Sequence, residues 1–200
     1  MNSHNKPVHK AIRAKNKRVE VEFHSAAGLG ATLQAVGVEM DVAQLSRGAL
    51  HGTFRLAGSR QVPVLSIQTN QDLVLHGNQR PGMLPLSLNA TDQQPVVLGG
   101  ETNPGSLHGF QAVLSETFFQ LPAGAHIQAA LVSQTRFEQL ATATGDDQTL
   151  EVIQRSNSAN LHPQRFQKIS ALIQAQLMGR GQDNRVEVAA LEALSPHQLQ

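Results

Sequence analysis

From Val36 the hydrophobic positions recur at every second residue: Val36, Val38, Met40 and Val42 alternate with Gly37, Glu39, Asp41 and Ala43. That period predicts a half-buried strand, because successive side chains on extended backbone point to opposite faces. The pattern resumes at Leu50, Gly52, Phe54 and Leu56, against His51, Thr53 and Arg55, and continues in apolar runs over 62–67, 73–75 and 84–88. Further strands fit 107–114, 117–121 and 126–132. Turn-forming residues separate the runs: Gly58-Ser59, Asn70-Gln71-Asp72, residues 78–82 and 89–92, Gly99-Gly100, Asn103-Pro104-Gly105 and Leu121-Pro122-Ala123-Gly124. Short strands punctuated about every 8 to 12 residues, with no long helical crossover, predict a sandwich or closed barrel.

The flanks of this β body read differently. Residues 1–18 show neither period and carry Lys6, Lys10, Arg13, Lys15, Lys17 and Arg18, which predicts a basic flexible arm, either a solvated tail or a segment that touches nucleic acid or acidic lipid. A short helix follows, with Ser25 placed to cap it, Leu29 and Leu33 one turn apart, and Gly37 beyond its end. Past residue 132 the period becomes helical. Ser133 is placed to cap a segment in which Phe137, Leu140 and Ala141 share a face, and Gly145 with Asp146-Asp147 is expected to stop it. A stronger helix starts near Pro163, where Phe166, Ile169, Ile173 and Leu177 form an apolar stripe ended by Gly179 and Gly181. The stripe has two readings, as core packed on the β body or as an interface with a second chain. Residues 179–200 are polar, with a weakly amphipathic piece near 186–194, and read as a linker or loosely docked tail.

Composition narrows the function classes. With 40% hydrophobic and 16% charged residues the chain has enough apolar material for one buried domain, which argues against a fully disordered chain. Seven Phe with no Trp or Tyr argue against a stacking platform for single-stranded nucleic acid. The absence of Cys removes disulfides, thiolate metal sites and a Cys nucleophile together. No apolar stretch approaches the roughly 18 residues of a membrane span, and no signal-type segment opens the chain, so a cytoplasmic protein is expected. The formal charge of +1 hides an asymmetry: six of the 16 basic residues precede Glu20, leaving ten against 15 acidic residues in a mildly acidic body.

The search for chemistry is mostly negative. None of the nine His residues sits in a His-x-His or His-Glu-x-x-His pattern, and His51, His76, His108 and His126 stand alone. There is no Gly-x-Ser-x-Gly elbow and no phosphate loop ending in Gly-Lys-Ser/Thr, and Gly28-Leu29-Gly30-Ala31 lacks the third glycine of a dinucleotide loop. The pairs Glu20 with Glu22 and Asp146 with Asp147 read as solvated charges. Glu101 and Glu116, nearer the β body, are the better candidates for ligand contact. No catalytic, cofactor or metal residue is assigned.

Four short stretches, in order, carry a family resemblance. Asp41-Val42-Ala43-Gln44-Leu45-Ser46-Arg47-Gly48 with Gly52, then Pro104-Gly105-Ser106-Leu107 and Leu121-Pro122-Ala123-Gly124, then Leu161-His162-Pro163 with Phe166 and Ile169 resemble the sensor domains of AraC-type transcription regulators, over roughly residues 25–178. The relevant group includes the ethanolamine operon regulator. The resemblance implies a mainly β, cupin-like or jelly-roll barrel with C-terminal helices (α+β), followed by a small helical dimerisation-type region. It also implies a non-catalytic role, binding a small-molecule effector as a homodimer, with DNA contact only through a helix-turn-helix domain not present in this chain. Phe166, Ile169, Ile173 and Leu177 are the candidate helix interface. The expected organisation is an arm over 1–18, one sensor-like domain over 19–178 with its β body about 36–132 and helices about 133–178, and a linker or tail over 179–200. The alternative is a cupin-like metal-dependent enzyme with dispersed His and Glu ligands.

Overall fold

A computed structural model of the chain describes residues 18–59, 61–78, 80–91, 95–97, 100–111, 116–181 and 183–195. In chain order the elements are β1 (Val19–Phe23), α1 (Ala26–Ala35), β2 (Met40–Gln44), β3 (Gly52–Gly58), β4 (Pro63–Thr69), β5 (Leu73–Asn78) and β6 (Met83–Asn89). They continue as β7 (Val96–Val97), β8 (Gly100–Glu101), β9 (Ser106–His108), β10 (Glu116–Leu121), β11 (His126–Ser133), α2 (Gln134–Ala143), α3 (Asp147–Arg155), β12 (Ser158–Asn160), α4 (Pro163–Leu177) and α5 (Asp183–Leu194).

Two antiparallel sheets result, one in the order β1-β3-β4-β11-β6-β9-β12 and the other β2-β5-β10-β7-β8. In β6 the side chains of Leu84, Leu86 and Leu88 enter a cluster shared with α2, α3, α4 and α5, whereas Met83, Pro85 and Ser87 turn to the opposite side. β11 divides the same way: Ala130 and Val132 face the helices, and Ile127 and Ala129 join a second cluster with Leu73, Leu75, Phe119 and Leu121 of the smaller sheet. The larger sheet is therefore apolar on both faces. This explains why β4 and β6 read as continuous hydrophobic runs rather than clean alternations.

Several expectations are corrected. The sheet begins at Val19 rather than near residue 36, because Val19, Val21 and Phe23 place β1 against β3, with Phe23 opposite Gly52. β1 is short and at the edge, and of its residues only Phe23 is fully buried, so its sequence signal merges with the basic segment before it. Residues 1–17 lie outside the described residues. Val36 ends α1 rather than opening a strand: its N–H reaches the Gln34 and Leu33 carbonyls, Gly37 follows at φ 82°, and β2 starts at Met40. The helix itself forms as expected, with Ser25 Oγ accepting from the Gly28 N–H at 3.0 Å. Asp146-Asp147 does not merely stop α2. Asp146 caps α3, accepting from the Thr149 N–H at 3.0 Å and its hydroxyl at 2.7 Å, and Asp147 and Arg155 sit at the ends where the helix dipole favours their charges.

The largest correction concerns the C-terminal segment. Residues 183–194 form α5, with Val186, Ala189, Ala190, Leu191, Ala193 and Leu194 buried against α4, α2 and α3. Ion pairs fasten it from both sides: Arg136 to Glu187 at 2.9 Å, and Arg165 and Lys168 to Glu192 at 3.0 and 2.6 Å. Three of those six buried residues are alanine, which is why the segment reads as a linker or loosely docked tail from the sequence.

One glycine fixes how closely β2 approaches β5. A Cβ on Gly77 would overlap the Glu39 carbonyl oxygen and come within 2.8 Å of the Met40 Cα, its cross-strand partner. Gly77→Ala is expected to lower stability by about 1–3 kcal/mol through overpacking, read as a lower urea midpoint at unchanged slope.

Candidate functional site

Between the two sheets lies a cavity of about 360 Å³. Its walls are Leu65 and Ile67 of β4, Leu75 of β5, Phe119 and Leu121 of β10, and Ile127 of β11. The space arises from small inward residues on two neighbouring strands. Ala129 of β11 is paired with Ser87 of β6, and Pro85 stands two residues before Ser87 on the same face, so this part of the larger sheet sends short side chains toward the smaller one. Sheets packed about 10 Å apart need a full layer of large side chains from both faces to close that gap.

The cavity opens at the end where β5 turns into β6. Glu39 on the α1–β2 connection, Arg80 and Pro81 in the turn, Met83 at the start of β6 and Thr117 near the start of β10 form the rim. Glu39 and Arg80 are exposed, and among the described residues neither makes an ion pair. The charged groups lining the cavity are thus at its mouth, and the interior is apolar apart from Ser87.

Behind Phe119 sits a buried imidazole. His108 on β9 is 1% exposed, lies opposite Ser87 in the sheet, and meets the Phe119 ring edge-on at 5.9 Å between centroids. Neither ring nitrogen has a hydrogen-bond partner among the described residues. Burial pushes its pKa down to about 4, opposed by the Ser106 backbone, so the ring is neutral at physiological pH.

The residues singled out from the sequence lie elsewhere. Glu116 is 60% exposed on the outer face of β10, 3.8 Å from His76, and is not among the residues lining the cavity; its neighbour Thr117 is. Glu101 lies by its backbone on β8, paired with Val96, and its side chain falls outside the described residues. Ile169, Ile173 and Leu177 are buried inside the chain, where α4 packs on β3, β4, β11 and α5, and Phe166 is half-buried beside them. The stripe thus serves as core of this chain.

The remaining His residues are dispersed. His24 and His51 meet at a shallow cleft with Nδ1 atoms 2.9 Å apart, one ring donating and the other accepting. His126 bonds Ser66 at 2.9 Å on the helix side of the larger sheet, and burial followed by Arg55 holds its pKa below the ordinary value. Among the described residues no three His, Asp or Glu side chains gather as a metal-ligand group. Sequence reading missed Glu39, Arg80, Thr117 and Ser87. The one available signal was the run of small residues Pro85, Ser87 and Ala129 at inward positions, visible only once register is fixed.

No protein-family model matches the chain, and no curated protein matches it. Among solved structures it is similar to the AraC-like transcriptional activator CuxR, with a TM-score of 0.57 at 11% identity, over 88% of this chain and 70% of that one. No described helix is long and apolar enough to cross a membrane. At that identity the likeness is one of fold, and it agrees with the resemblance read from the turns: this chain has the mainly β, helix-backed architecture of a protein in the AraC-like class.

Proposed function

We propose that this chain is the regulatory effector-binding and dimerisation domain of an AraC-type transcription regulator, a cupin-like jelly-roll that binds a small molecule without transforming it. The observation that carries the reading is the apolar cavity between the sheets, whose volume falls in the range of small-molecule sites, about 300–1,000 Å³. The fold-level likeness to an AraC-like activator supports the regulatory role. A lining of aliphatic and aromatic side chains with charge only at the rim favours binding over the metal-dependent catalysis that a cupin-like enzyme would perform.

Occupancy acts by population shift. A ligand that fits one arrangement of β6 and β11 better than another biases the helices packed on their opposite faces, because both strands contribute alternate residues to the cavity and to the helical cluster. Those helices carry the signal to a second copy of the chain, and DNA is read by helix-turn-helix units outside this chain. The protein works in the cytoplasm.

The test uses the apolar dye anilinonaphthalene sulfonate as a cavity probe, a metabolite library as competitors, and sedimentation to follow assembly. The wild-type chain is expected to bind the dye at one site and release it to library members. Ala129→Phe is expected to fill the cavity and abolish that binding while circular dichroism stays unchanged. Dye binding that survives Ala129→Phe would place the site elsewhere and remove the main support for the reading.

A further inference from the structure

We infer that the cavity takes an amphiphilic monocarboxylic acid, its apolar body between the sheets and its carboxylate held at the rim by Arg80. The inference rests on the cavity being the ligand site proposed above and specifies what kind of molecule fills it.

The apolar part follows from the lining. From Leu121 and Ile127 at the closed end to Thr117 and Leu131 at the mouth the cavity runs four residues along β10 and β11. At about 3.4 Å per residue that is about 14 Å. Along this length a ligand meets Leu65, Ile67, Leu75 and Phe119, none of which offers a hydrogen bond. A polar or charged group placed there would lose its hydration without replacement, a cost that excludes sugars and multiply charged ligands from the interior.

The head group follows from the mouth. Arg80 presents a guanidinium with five N–H donors in a planar fork that matches a carboxylate. It stands in the turn between β5 and β6, both of which line the cavity, and among the described residues no carboxylate neutralises it. The Thr117 hydroxyl on the adjacent strand adds a further donor. Glu39 stands on the same side of the rim, where β2 pairs with the end of β5 beside Gly77, but it is exposed and makes no ion pair among the described residues, so it opposes an anion weakly and through solvent. One cation with no ion-pair partner among the described residues, at the mouth of an apolar cleft, selects a ligand with one negative charge at one end.

Calorimetric titration of the full chain with decanoic acid, decanol and decylamine, all below their aggregation thresholds, tests this. The acid is expected to bind most tightly and the amine least. Arg80→Gln is expected to weaken the acid about ten- to a hundredfold while leaving the alcohol unchanged, and Glu39→Gln to strengthen the acid. Arg47→Gln, which removes an exposed charge outside the rim, is expected to change nothing. Alcohol bound as tightly as acid, or amine preferred, overturns the carboxylate inference while leaving the cavity as a ligand site. If none of the three binds, the ligand-site reading itself fails.

Discussion

Ile173→Ala is expected to lower the free energy of unfolding by about 2–5 kcal/mol, the range for truncating a fully buried aliphatic side chain in a core that relaxes only partly. Ile173 is completely buried in a cluster that also holds Val64 of β4, Ala130 of β11 and Val186 of α5. Against a total stability of roughly 5–15 kcal/mol for a domain this size the loss is large. Gln167→Ala, on the exposed side of the same helix, is expected to stay within about 0.5 kcal/mol. The measurement also separates the two uses of the α4 stripe. If Ile173 is core of its own chain, the loss in urea denaturation is independent of protein concentration. If the stripe held two chains together, the loss would grow as the protein is diluted and the unfolding of the separated chain would be unaffected.

The second large effect concerns acid. Unfolded, His108 has an ordinary imidazole pKa of 6.5, and in the fold burial brings it to about 4. Between those values the unfolded chain binds a proton that the folded chain refuses, so acid favours unfolding. Stability is complete above about pH 6.5, falls as the pH drops, and stops falling from this cause below about pH 4. The difference amounts to about 3 kcal/mol. His126, whose pKa is also lowered by burial, acts in the same direction. Glu20 and Glu192, held below the ordinary carboxylate value by Arg55 and Lys168 respectively, add a loss in the more acidic range as they protonate.

His108→Leu is expected to remove most of the slope between pH 6.5 and about 4. At neutral pH it is expected to leave stability unchanged or raise it by up to about 1–3 kcal/mol, because two buried ring nitrogens without hydrogen-bond partners among the described residues are replaced by apolar surface. Chemical denaturation at a series of pH values measures both effects. An unchanged slope in the variant would mean that His108 is not held neutral by the fold.

What was readable in the chain and what was not divide along a physical line. The strands β3, β4, β6, β10 and β11 announced themselves because each is apolar over several consecutive or alternate positions and is bounded by Gly, Pro or Asn turns. α1, α2 and α4 were equally plain: each has a cap at Ser25, Ser133 or His162–Pro163 and an apolar stripe at helical spacing. β1 and α5 were lost for opposite reasons. β1 alternates correctly but is five residues long and follows a basic run, while half of the hydrophobic residues α5 buries are alanine, whose contribution becomes apparent only when α4 and α2 are packed against it.

The candidate site was less legible still. Glu101 and Glu116 stand out in the sequence as acidic residues near the β body, but Glu116 stands on the outer face of β10. One residue along, Thr117 turns to the rim, and a strand's side-chain period of two makes that single step the whole difference. Ser87 and Ala129 look unremarkable apart in the chain, and they create a cavity because β6 and β11 pair with those two residues opposite each other.

The sequence by itself determined the type of the longer strands and of α1, α2 and α4, because strand and helix periods and their caps are set by interactions among residues a few positions apart. Tertiary structure decided which faces meet, where the space between the sheets opens, that Arg80 and Glu39 share its mouth, and that the α4 stripe is covered by α5. Those outcomes depend on pairings between segments far apart in the chain, such as β1 with β3 and β11 between β4 and β6, which no local window of residues encodes.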